Sequence, residues 1–133
     1  EMYGRIKRLS KALVKLGVQP VRLYSSPRAR ARQTADILAK SLGLEVTVRE
    51  EVGFGFHIPA VEQLTAGLDA NAEVMFVGHE PDLSATVSAL IGGGEIMLKK
   101  GSLARVDIAG DRPLHGALVW LFAPRIFEAI AGK

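Results

Sequence analysis

The feature that most constrains this chain is a joint that occurs twice. At "VRLYSSPRAR" (21–30) and again at "VMFVGHEPDLS" (74–84), a short apolar run passes into a polar knot holding a proline and then into a helical pattern. Strands that each feed a helix build a parallel sheet, because parallel neighbours can be joined only by a crossover. Both knots then belong at one edge of that sheet, outside the carboxyl ends of its strands, where sheets of this kind bind ligands.

The rest of the chain agrees with that plan. Ile6, Leu9, Leu13 and Leu16 recur on one face of a first helix, from about Met2 to Leu16, which Gly17 stops. The second helix runs to Leu42 and is closed by Gly43. "EVTVR" alternates as a strand, "EEVGFGFHIPA" is a glycine-rich loop and "AVEQLTAGL" a short helix. The near-continuous apolar run of "EVMFVGHEP" predicts a strand buried on both faces, and "DLSATVSALI" a helix ended by Gly92, Gly93 and Gly94. "SLARVDIAG" and "GALVWLFAP" alternate around "GDRPLHG", predicting a hairpin or neighbouring late strands, and a short helix follows from about Arg125. The expected fold is an α/β three-layer sandwich with a mostly parallel central sheet, in one domain over residues 1–133 without repeats or linkers.

The first knot poses an electrostatic question. Ser26 is placed as an N-cap and Pro27 at the first helical position. Yet Arg28, Arg30 and Arg32 crowd the positive end of the helix dipole, which favours anions. Backbone N–H groups, Ser25, Ser26 and fixed positive charge together make an anion site. Around the helix, Arg28, Arg32, Asp36 and Lys40 form one stripe and Ala31, Ala35, Leu38 and Leu42 the core stripe. That puts Arg28 and Arg32 at the rim, and leaves Arg30, on the far border of the core face, best placed to reach across the sheet edge. The competing reading is three arginines that only solvate a surface helix. In the second knot His79 follows Gly78, which permits close backbone approach, and is flanked by Glu80 and Asp82. The bland alternative is a strand-end histidine bonded to a backbone carbonyl.

Composition removes other classes. With no cysteine, disulfides and thiol chemistry are excluded, and His57, His79 and His115 are too scattered for a usual metal site, so neither metal nor cofactor is expected. His57 and His115 are assigned structural or solvent-facing places. A net charge of +3 is weak support for acidic partners. No aromatic residue interleaves with the arginines, so a stacking platform for nucleic acid is not expected. No apolar run approaches a membrane span and no charged-then-apolar signal opens the chain, so a cytoplasmic protein without nucleic-acid or membrane partners is expected.

"SSPRARARQTADIL" resembles the Ser-Ser-Pro-x-x-Arg-Ala-x-Gln-Thr-Ala motif of the histidine phosphatase superfamily, the phosphoglycerate mutase-like proteins. "VMFVGHEPDLSATVSALIGG" is similar to that family's second-histidine segment, and "LKKGSLARVDI" and "ALVWLFAPR" resemble its SixA-like phosphohistidine phosphatase branch. The resemblance implies a phosphatase acting through a phosphohistidine intermediate without a metal, on a phosphorylated substrate such as a phosphohistidine-bearing protein. It makes Arg30 a phosphate contact beside Ser26, and His79 the second pocket histidine. Glu51 and Glu80 stand where relatives carry a general acid, and for each the alternative is a solvated loop carboxylate. The family's nucleophile sits in an Arg-His-Gly motif on a first strand, and no such triplet occurs here. The resemblance therefore implies a missing first strand, or else a non-catalytic relative that binds phosphate or phosphoprotein.

Overall fold

The computed structural model describes residues 2–111 and 113–132; Glu1, and Arg112 within the expected "GDRPLHG" turn, lie outside the described residues. Helix α1 spans Met2–Lys15 and buries Ile6, Leu9, Ser10, Ala12 and Leu13, the face its periodicity predicts. Ser10 is tolerated there because its hydroxyl donates to the Ile6 carbonyl at 2.9 Å. Strand β1 (Arg22–Ser25) leads into α2 (Ala29–Leu42), which Gly43 ends in the left-handed conformation at φ 70°. Then come β2 (Val46–Val48), a 3-10 turn (Glu50–Val52), α3 (Ile58–Thr65), β3 (Val74–Val77) and α4 (Asp82–Leu90). Strands β4 (Leu103–Asp111) and β5 (Leu114–Phe122) form the hairpin, and α5 (Pro124–Ala131) follows.

The three short strands are parallel in the order β2-β1-β3, with Leu23 opposite Val46 and Met75, and Ser25 opposite Val48 and Val77. Alternation along β1 divides the interior in two. Leu23 joins Met75, Leu9, Leu13, Leu38 and Phe127 on one side of the sheet. Tyr24 joins Val52, Phe56, Val61, Leu64 and Leu90 on the other. Helices α1, α2 and α5 cover the first side and α3 and α4 the second, giving the expected three layers. Tyr24 stacks on Phe76 at 5.7 Å and donates its hydroxyl to the Leu64 carbonyl at 2.9 Å.

Two details differ from the expectation. Among the described residues β3 has a strand partner on one side only, and Val74, Phe76 and Val77 are half-buried while Met75 alone is buried. An apolar run reports covered faces and is silent about a covered edge, which is why the sequence overstated its burial. The hairpin is also a separate antiparallel sheet rather than a continuation of the parallel one. It is tied in through α5: Phe127, 1% exposed, meets Trp120 and Phe122 edge-on at 6.5 and 5.7 Å.

Phe127→Ala should therefore remove about 3–5 kcal/mol of unfolding free energy, measured by urea titration. The neighbouring Ile126→Ala, at a position 42% exposed, should cost far less, close to the roughly 0.5 kcal/mol of surface positions.

Candidate functional site

Strands β1 and β3 end side by side, and the first bond beyond them joins the two knots: the Ser26 N–H donates to the Val77 carbonyl at 3.0 Å. This carries the parallel pairing one residue past β1 and turns Ser26 inward, where it is wholly buried. Its Oγ accepts the Arg28 N–H at 3.2 Å and lies 2.7 Å from Nε2 of His79. The two knots thus meet through a hydroxyl and an imidazole. The expected N-cap role of Ser26 is corrected here. Helix α2 begins at Ala29, with Arg28 in the cap position; the Ser26 N–H is committed to the Val77 carbonyl, and its hydroxyl is shared between the Arg28 N–H and His79.

The helix start keeps the character of an anion site. Its first turn has no acidic residue, and its first backbone bond, Arg32 N–H to the Arg28 carbonyl, follows the N–H groups of Ala29, Arg30 and Ala31. All three arginines are exposed. Arg32 is bound to Asp36 at 3.2 Å, whereas Arg30 makes no hydrogen bond or ion pair among the described residues.

Arg28 behaves differently from a plain rim residue. Its guanidinium lies over the Phe54 ring at 4.4 Å, and that ring lies 5.2 Å from the ring of His79. Partial burial pushes the His79 imidazole below its ordinary pKa; the Arg28 charge adds to this, and Asp82 opposes it. The helical angle singles out Arg30 as the arginine reaching across the sheet edge, yet the cation acting on His79 is Arg28. The helical angle could not reveal this, because the group that holds Arg28 is on a loop far along the chain.

That loop, residues 53–57, is pressed against both knots. A Cβ on Gly78 would stand 3.0 Å from the Val52 carbonyl oxygen, and one on Gly53 would stand 3.0 Å from the Glu50 oxygen and 3.9 Å from Ser26 Oγ. Two side chains of α4 pin it: the Asp82 carboxylate accepts the Gly55 N–H at 2.7 Å, and the Thr86 hydroxyl donates to the Phe56 carbonyl at 3.0 Å.

The remaining candidates stand apart from this contact. Glu51 accepts two bonds from Arg49, at 2.6 and 3.2 Å, and one from Gln63 at 2.9 Å. Chiefly through Arg49 its carboxyl is held below its usual range, so it stays ionised, the opposite of the state a proton donor needs. Glu80 accepts the Ser84 N–H at 3.0 Å and the Ser84 hydroxyl, serving the first turn of α4. His57 precedes α3 without capping it, and Nδ1 of His115 lies 2.8 Å from the Pro113 carbonyl oxygen. Among the described residues no three His, Asp or Glu side chains converge as a metal would require.

The sequence signature of the histidine phosphatase superfamily (branch 1) matches residues 3–53, from α1 through the 3-10 turn. An uncharacterized protein of a Picosynechococcus species is 33% identical over 107 residues, which are 74% of this chain and 64% of that protein. The chain thus spans less than two thirds of that relative's length. The protein histidine phosphatase SixA complexed with tungstate superposes with a TM-score of 0.77 at 23% identity, over 91% of this chain and 80% of that one. A mycobacterial glucosyl-3-phosphoglycerate phosphatase complexed with VO3 gives a TM-score of 0.66 at 18% identity, over 92% and 86%. These two likenesses establish the fold.

Arg28→Ala should raise the pKa of His79 toward its ordinary value, since a removed positive charge no longer opposes the imidazolium. Asp82→Asn should lower it further, and Arg30→Ala should leave it in place. Histidine-resolved NMR titration of the three variants distinguishes these outcomes.

Proposed function

We propose that this chain, a member of the histidine phosphatase superfamily, serves the removal of a phosphoryl group from a phosphorylated substrate, and that the substrate is a phosphohistidine-bearing protein. The observation that carries the reading is the 2.7 Å contact of Ser26 and His79 at the ends of adjacent parallel strands, at the start of the arginine-rich helix. It supports a phosphate seated between the N–H groups of α2, the Arg30 guanidinium and His79, with Ser26 holding the imidazole in place. Partial burial and the Arg28 charge hold the His79 imidazole below its ordinary pKa, which favours the neutral ring. An incoming dianion favours its protonated form, so the ring takes up a proton and becomes a charged donor. Donors fixed before the reaction would then meet the charge on the equatorial oxygens of the transferring group, where positioning and electrostatics do most of the catalytic work.

In-line attack needs a nucleophilic histidine that these residues do not hold, since His57 lies exposed ahead of α3 and His115 lies against the Pro113 carbonyl in the hairpin turn. The chain is therefore assigned the phosphate-holding part of the chemistry. Neither Glu51 nor Glu80 is assigned as the acid: one is kept ionised by Arg49 and the other is spent on Ser84. A phosphohistidine is labile enough to leave without strong acid assistance. The exposure of Arg28, Arg30 and Phe54 around the contact favours a phosphate borne on a macromolecule, which needs an open approach.

Calorimetric titration with tungstate tests the site. Arg30→Ala and His79→Ala should each weaken binding about 10- to 100-fold, as expected for one charge-assisted bond, while Arg32→Ala should change it little. Equal losses for Arg30 and Arg32 would mean a diffuse basic surface. In a discontinuous assay the chain should bind a phosphohistidine protein with negligible turnover, and robust turnover that survives His79→Ala would overturn the mechanism.

A further inference from the structure

Phe54 is 67% exposed, a large apolar ring set between the Arg28 guanidinium and the His79 imidazole. Single exposed apolar side chains are common and usually mean nothing. Three observations separate this one. It lies between glycines whose backbone is fixed: Gly55, at φ +85°, donates its N–H to Asp82, and Gly53 is packed against Glu50 and Ser26. Its ring is already in contact with the imidazole proposed to hold phosphate. It also carries the flat guanidinium of Arg28. A fixed ring and a flat cation next to a phosphate seat present planar surfaces to whatever the phosphate is attached to.

We infer that Phe54 is a specificity-determining residue, a wall on which a flat ring bearing the phosphate stacks, so that the site selects phosphates on a phenol or imidazole over those on an aliphatic chain. This deepens the proposed function and rests on the phosphate seat described there. The phosphate itself is held by His79, Arg30 and the helix start. Phe54 acts on the group beyond it, covering its own exposed surface when a ring lies down and leaving it wet when the substituent is a short alkyl chain. Offset or tilted packing between rings beyond simple burial favours such a ligand about 3- to 10-fold. Arg28, already lying flat over Phe54, adds a second flat partner at the edge of the same wall.

The test is a binding comparison on the full chain, using inorganic phosphate, ethyl phosphate, phenyl phosphate and a triazole phosphonate as a hydrolysis-resistant stand-in for a phosphoimidazole. The unaltered chain should bind phenyl phosphate and the triazole about 3- to 10-fold more tightly than ethyl phosphate. Phe54→Ala should bring that ratio close to one, and Phe54→Trp should keep it. Which of the two ring ligands binds more tightly tells phenol from imidazole as the source. A ratio near one in the unaltered chain, or a ratio untouched by Phe54→Ala, overturns the inference while leaving the phosphate seat intact. Failure of inorganic phosphate and all three esters and analogues to bind removes the seat and this inference with it.

Discussion

The site depends on one backbone bond, from the Ser26 N–H to the Val77 carbonyl. Parallel pairing aligns Ser25 with Val77, and this bond extends the alignment one residue further, past the end of β1. Without it Ser26 would be a helix cap facing outward. With it, the hydroxyl is buried and meets His79, two residues past the end of the neighbouring strand β3. A slip of one residue would send Ser26 to the opposite face and dissolve the contact. The register is in turn held by the two apolar cores, because Leu23 with Met75 and Tyr24 with Phe76 must each enter the correct side.

The second core also governs what surrounds that contact. Val52 and Phe56 are buried in it, and of the loop they bracket Phe54 and Gly55 are left over for the surface. The anchors of the loop come from α4, the helix that His79 itself leads into. Loop, histidine and helix are therefore tied to one another, and the aromatic ring beside His79 is positioned by the same packing that positions the imidazole.

Much of this was legible before any coordinates. The repeated joint named the parallel sheet, placed Ser26 and His79 on one edge and marked Gly78 as a point of close approach, because strand-to-helix chemistry is local and its consequences are topological. The hairpin and both glycine stops were legible for the same reason. What escaped depended on partners distant in sequence. Ser26 looks like a cap until a neighbouring strand claims its N–H. Arg28 looks like rim until Phe54 holds it beside His79, and Glu51 looks like an available acid until Arg49 and Gln63 close on it. Sequence periodicity describes which way a residue points, and these three outcomes were decided by what came to meet it.

On the proposed function, the division between an exposed arginine rim and a buried Ser26 hydroxyl backed by the half-buried His79 would separate two stages of anion capture that respond differently to the medium. Solvated guanidinium groups act at a distance, through a field that ions in the medium shorten to roughly 10 Å at 0.1 M salt. The Ser26 hydroxyl and the imidazole behind it would act only on contact. On that reading added salt would slow the arrival of a phosphate more than it hastens its departure, with the residence time set by the strand ends and the rate of arrival by the helix.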